Sequence, residues 1–204
     1  MATAILESTA AEVKSPFLAP TPDGRARFTR ETYHRMYEVG VFGEAPRVEL
    51  LDGEIMMMSP IGPMQGTLVR RLTRYFIKNL PDTIECSAQL PIIAGDHSEP
   101  EPDIALVRRR DDDYKQEHPS SADVLLLIEV SESSLKFDLG RKLQLYASIG
   151  ISEYWVVDVA KQVVLVHRDP AGSTHKRVET AGVESVLTPA GVPECRLDLA
   201  WLFR

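Results

Sequence analysis

Two acidic side chains stand where chemistry is most plausible. In EPEPDIALV, Asp103 opens an apolar run directly after Pro100 and Pro102, prolines that keep the preceding chain out of regular strand pairing. In VLLLIEVSESSLKFDLGRK, Glu129 closes a five-residue apolar run, Val124 to Ile128, that reads as a buried strand. If the two strands are antiparallel neighbours, the start of one lies beside the end of the other, and the carboxylates meet at one edge of a sheet. Paired buried carboxylates repel, and each costs several kcal/mol to bury unless a cation compensates. Hard oxygen donors suit Mg²⁺ or Mn²⁺. Beyond the loop, Asp138 and Lys142 lie four apart on one helix face. Lys142 can extend toward the acids, where an ammonium stabilises charge on a phosphate or orients an attacking water. Two acids, a lysine and a metal make an apparatus for phosphodiester hydrolysis.

Each residue also has a plainer account. Asp103 can cap a turn locally, Glu129 can form a buried ion pair, and Lys142 can be an i,i+4 partner of Asp138. Of the other polar residues, His34, His97, His118, His167 and His175 show no zinc spacing and read as surface or satisfied polar groups. Cys86 and Cys195 form no metal-binding pair and no disulfide framework, so reduced thiols in a cytoplasm are expected. The sequence holds no phosphate-cradling glycine loop and no G-x-S-x-G elbow.

The elements that must position these residues follow from periodicity and punctuation. Residues 1–27, rich in Ala, Thr, Ser and Pro, read as a tail, and 28–204 as a single domain. Thr29 caps a short helix ending at Gly40. Asp52-Gly53 between apolar runs marks an N-terminal β-hairpin, and Met56-Met57-Met58 reads as core packing. From Gln65 to Leu80, Leu68, Leu72, Phe76 and Leu80 recur every fourth residue, with Arg70, Arg71, Arg74 and Lys78 opposite. Those cations are a solvated face or, on a weaker signal, a DNA-facing stripe carried by Arg70, Arg74 and Lys78. Strands are expected over 83–93, 103–109, 124–130, 153–158 and 163–167, with a helix over 137–149. Turns are expected at Pro170-Ala171-Gly172 and Pro189-Ala190-Gly191, and a final strand or helix near 197–203. Strands interleaved with helices and a hairpin indicate an α/β or α+β domain with a mixed central sheet flanked by helices.

Composition bounds the function. Hydrophobic residues make up 44% and charged residues 26% of the 204-residue chain, ordinary values for a globular protein. No apolar run is long enough to span a membrane, and no export signal is evident. The net charge of −7 argues against a protein that coats nucleic acid nonspecifically, but not against an enzyme with an acidic metal centre.

The ordered series ELLDGEIMMMSP, EPDIALV, LLLIEVSESSLKFDLGRKLQLYASIGISEYWVVD and VVLVHRDP resembles the Uma-type restriction-endonuclease family of the PD-(D/E)XK nuclease superfamily, over about Thr29 to Pro170. The resemblance implies a restriction-endonuclease-like core and Mg²⁺- or Mn²⁺-dependent endonucleolytic hydrolysis of DNA. It makes Asp103 and Glu129 metal ligands. Where the superfamily usually has its lysine, two residues after Glu129, this chain has Ser131, and Lys142 on the following helix matches the displaced position. Glu49, Gly53 and Asp138 also match the family pattern in supporting roles. Gln65 stands where relatives often carry a histidine, and it cannot act as an acid or base. Ser131, Gln65 and the acidic net charge motivate a second expectation, a catalytically inactive nuclease-fold protein that binds nucleic acid or a protein. A homodimer is compatible with either.

Overall fold

The computed structural model describes residues 24–44 and 47–204, so most of the expected tail lies outside the described residues. The final residues of that stretch reach the hairpin, where Arg27 donates to the Asp52 carbonyl at 2.6 Å. Helix α1 (Arg30–Glu38) starts at Thr29, whose hydroxyl accepts from the Thr32 amide. It packs Tyr33 onto strands β1 (Val48–Leu51) and β2 (Glu54–Met57). Asp52 and Gly53 both take positive φ, 51° and 74°, as a two-residue hairpin turn of right-handed twist requires.

Helix α2 (Pro63–Asn79) buries Leu68, Leu72 and Phe76 on one stripe. It leads into the main sheet through β3 (Ile84–Ala88), β4 (Ile104–Arg108) and β5 (Val124–Ser131). The chain then turns through α3 (Leu135–Phe137), a π-helical turn (Asp138–Lys142) and α4 (Leu143–Ser148). Strands β6 (Glu153–Asp158), β7 (Val163–Ala171) and β8 (Thr174–Ala181) complete the sheet. A short pair, β9 (Val186–Leu187) and β10 (Leu197–Asp198), precedes α5 (Leu199–Phe203).

The six strands lie in the order β3-β4-β5-β6-β7-β8, antiparallel throughout except for β5 and β6, which are parallel and joined by the α3–α4 crossover. Side-chain alternation sorts the sheet into two faces. Ile104, Leu106, Leu126 and Ile128 face α2 and α5. Ala105, Val107 and Leu127 face Leu145 and Tyr146 of α4.

Several expectations need correction. The strand expected over 83–93 stops at Ala88, because Gln89 takes φ of 53° and its amide binds the Asp103 carbonyl. Strand β7 runs past the expected turn, pairing Pro170 with His175, and the reversal falls at Gly172 and Ser173. Strand β8 has no counterpart in the sequence reading: HKRVE is largely exposed and polar, as befits an edge strand protected by charge. Met57 is 81% exposed rather than packed in the core, although it pairs with Val48 in the hairpin. His167 and His175 are buried, and the Nε2 of one and the Nδ1 of the other have no partner among the described residues, so neither is a fully satisfied polar group. Burial lowers both, His167 to about 4.

The turn glycine supplies a test of the hairpin. A Cβ on Gly53 would sit 2.6 Å from the Arg27 Cβ and about as close to backbone as a contact can be, at positive φ. Gly53→Ala is expected to cost about 1–3 kcal/mol, measured as a lowered midpoint in urea unfolding. A variant as stable as wild type would contradict this packing.

Candidate active site

Asp103 precedes β4 and Glu129 lies near the end of β5, and pairing of Ile104 with Ile128 brings them side by side. Both belong to the alternation that faces α4, so both point away from the α2 core. The Asp103 amide approaches Glu129 Oε2 at 3.4 Å, and the Val130 amide donates to Asp103 Oδ2 at 2.8 Å. The backbone of each strand thereby orients the carboxylate of the other.

Lys142 arrives from the π-helical turn. Its Nζ is 2.9 Å from Glu129 Oε1 and 3.2 Å from Glu49 Oε2, and all three side chains are almost fully buried. Asp138 is not its partner: that carboxylate accepts the hydroxyls of Ser131, at 2.6 Å, and Ser134. Ser131 therefore anchors the turn that carries the lysine, while the Leu143 amide reaches back five residues to the Asp138 carbonyl. The widened turn is a single insertion in a helix, a feature often found at functional sites.

The remaining expected residues fall into two groups. Glu49, in β1, touches Lys142 directly and also accepts the Glu101 amide at 3.2 Å. Gln65, in the first turn of α2, donates toward Asp103 Oδ2 at 3.3 Å. Arg70, Arg74 and Lys78 are exposed along α2 and run away from the acids.

Three contributors escaped the sequence reading. Tyr146, one turn beyond Lys142, donates its hydroxyl to Glu129 Oε1 at 3.0 Å. Gln89 donates to Asp103 Oδ1 at 3.3 Å. Glu101, two residues before Asp103, lines the same cavity. Its place in EPEPD, on the alternation of Asp103, was the one available signal.

Glu49, Gln65, Glu101, Asp103, Glu129, Asp138 and Lys142 border a cavity of about 300 Å³ that Met57 and Met58 also line. Its electrostatics are unbalanced. Burial pushes Glu129 well above the usual carboxylate range, Lys142 pulls it down, and Asp138, Asp103 and Glu49 push it up again. Burial likewise raises Asp103, against the Val130 amide, Gln65 and Lys142. Glu101 is raised by burial and then by Glu49. Burial alone would lower Lys142, but Glu129, Glu49 and Asp138 outweigh it and hold the ammonium protonated. Arg47 also lines the cavity and draws Glu101 down, so two cations, Arg47 and Lys142, face the five carboxylates of Glu49, Glu101, Asp103, Glu129 and Asp138.

A family description, "Putative restriction endonuclease" (Uma2), matches residues 30–200. The chain belongs to the Uma2 family. This Uma2 chain is also similar in fold to the crystal structure of a putative nuclease belonging to DUF820 from Anabaena variabilis. The TM-score is 0.62 at 17% identity, covering 78% of this chain and 90% of that one. No curated protein matches it. Uma2 membership supports a nuclease-like function for the chain. Among the described residues, no helix is long and apolar enough to cross a membrane.

The raised carboxylates set the pH dependence of stability. Glu129 binds its proton more tightly in the folded chain than in the unfolded one, whose value is near 4.5. Its contribution is therefore complete below that value and is lost as pH rises through the raised one. In metal-free buffer, melting temperature should fall as pH climbs above about 4.5, and Glu129→Gln should flatten the decline. An unchanged slope in the variant would show that Glu129 does not hold its proton.

Proposed function

We propose that this Uma2 protein is a divalent-metal-dependent endodeoxyribonuclease that hydrolyses phosphodiester bonds at the Asp103–Glu129 edge. The observation that supports it is the convergence of Asp103, Glu129 and the Lys142 ammonium on one cavity where carboxylates outnumber cations.

The donor set fits magnesium or manganese. Asp103 and Glu129 would hold the ion with hard carboxylate oxygens, in a site where burial raises both acids and a bound cation would draw them back down. Among the described residues, no group of three or more His, Cys, Asp and Glu is arranged to hold a metal. Two carboxylates suffice for magnesium, which keeps several waters and completes its shell with substrate oxygens. Such an ion would neutralise charge on the scissile phosphate and acidify water at neutral pH.

The protein's own groups do the positioning. Lys142 meets charge developing on the non-bridging phosphate oxygens, held by Glu129 and Glu49 so that little reorganisation is needed. Tyr146 fixes Glu129 through its hydroxyl, and Gln65 and Gln89 do the same for Asp103. Gln65 orients without exchanging a proton. Asp138 and Ser131 set the helix turn behind the lysine. Hydrolysis consumes one water and leaves a phosphate monoester and a hydroxyl end.

Asp103→Asn, Glu129→Gln and Lys142→Ala should each reduce cleavage of a DNA substrate by about a hundredfold or more, with circular dichroism verifying the fold. Titration calorimetry should show Mn²⁺ binding that disappears in Asp103→Asn and releases protons, and so weakens as pH falls. Wild-type cleavage in all three variants would refute the assignment. Metal-independent DNA binding without cleavage would favour the inactive binding-module alternative, and light scattering would decide whether either form is a homodimer.

A further inference from the structure

A second concavity, of about 460 Å³, lies at the far end of α2, between its last turns and the chain around β10 and α5. Its walls carry Arg74, Lys78 and Arg196, with Tyr75 and Trp201 presenting aromatic surface. The aromatic wall is built in: Tyr75 and Trp201 have ring centroids 5.9 Å apart, and Arg71 donates to the Leu202 carbonyl at 2.7 Å, fastening α5 to α2. The one acid there, Asp198, caps α5 by accepting the Ala200 amide at 2.9 Å. Among the described residues, no Asp or Glu lies within ion-pair distance of Arg74, Lys78 or Arg196, whereas Arg35, Arg110, Arg141 and Arg168 all have such partners. In a chain of net charge −7, these three cations share one concavity with two partly buried aromatic rings.

The concavity and the acids are served by the same helix at its two ends. Gln65, at the start of α2, touches Asp103, and Arg70, Arg74 and Lys78 follow at intervals of four residues. Each interval advances about 6 Å along the helix.

We propose that this groove is a subsite for single-stranded nucleic acid, in which a base stacks on Trp201 while flanking phosphates lie against Arg74, Lys78 and Arg196. Cations tracking a backbone and aromatic faces receiving bases are the two components of such binding, and neither requires a particular sequence. The groove rests on the nuclease reading only in supposing that the substrate is a nucleic acid. It would hold the strand about 14–20 Å from the acids, judged from the helix rise. That favours substrates with an unpaired stretch beside the cleaved bond.

The test uses the full chain in EDTA, with a fluorescein-labelled oligothymidine and fluorescence anisotropy. The chain has two tryptophans, and Trp155 is fully buried, so quenching by the oligonucleotide reports Trp201. Binding should quench tryptophan emission, and Trp201→Phe should abolish the quenching and weaken binding. The triple variant R74E/K78E/R196E should bind about tenfold or more weaker and flatten the log–log salt slope by about two. Both variants should unfold at the wild-type urea midpoint; if Trp201→Phe does not, the triple variant, which alters only exposed side chains, carries the test. The proposal fails if the triple variant binds like wild type, if binding leaves tryptophan emission unchanged, or if a duplex binds and quenches as well as the single strand. Loss of cleavage with groove binding intact would sink the nuclease assignment alone, whereas retained cleavage with wild-type binding by the triple variant would sink the groove alone.

Discussion

The structure turns on a buried ammonium that has too many carboxylates to satisfy. Lys142 is shared between Glu129 and Glu49 at hydrogen-bonding distance, with Asp103 and Glu101 bordering the same cavity. A buried ion pair is weak evidence for stability, because desolvation consumes most of its attraction. An arrangement with surplus buried acid is costlier still, and a fold selected for stability alone gains nothing from it. The expense becomes intelligible if the cluster exists to receive positive charge. The Uma2 assignment and the chemistry of the donors then point the same way without either depending on the other.

Two features of the backbone deliver that cluster. The antiparallel register of β4 and β5 sets Asp103 beside Glu129, and their alternation turns both toward α4. The parallel step from β5 to β6 then obliges the chain to cross over one face of the sheet. That crossover carries Lys142 on the same face as the acids. The lysine is displaced from the strand, where Ser131 stands, to the helix, and the π-helical turn braced by Asp138 presents it to Glu129.

Much of this was legible beforehand. Asp103 and Glu129 were readable because a carboxylate at the start or end of an apolar strand breaks a strong local pattern, and Lys142 because it shares a helix face with Asp138 and matches the displaced lysine of the family. The hairpin was readable because Asp-Gly at positive φ has few alternatives. What escaped depends on distant contacts. Gln89 and Tyr146 become relevant only once the sheet and crossover are folded, and neither interrupts its own segment's pattern. Strand β8 escaped because its polarity suits an edge that the sequence cannot announce. The π-helical turn escaped because one added residue leaves helical periodicity nearly intact.

Glu49 reaches the ammonium from a sheet that is separate from the main one. The adjacent Arg141 grips the same hairpin, donating to the Leu51 carbonyl at 2.6 Å and to Glu54 at 2.7 Å, across sequence separations of 90 and 87 residues. Contacts so remote along the chain close late, since their loop entropy must first be met. The charge cluster is therefore complete only when the hairpin is docked, because without it Lys142 keeps Glu129 and loses Glu49.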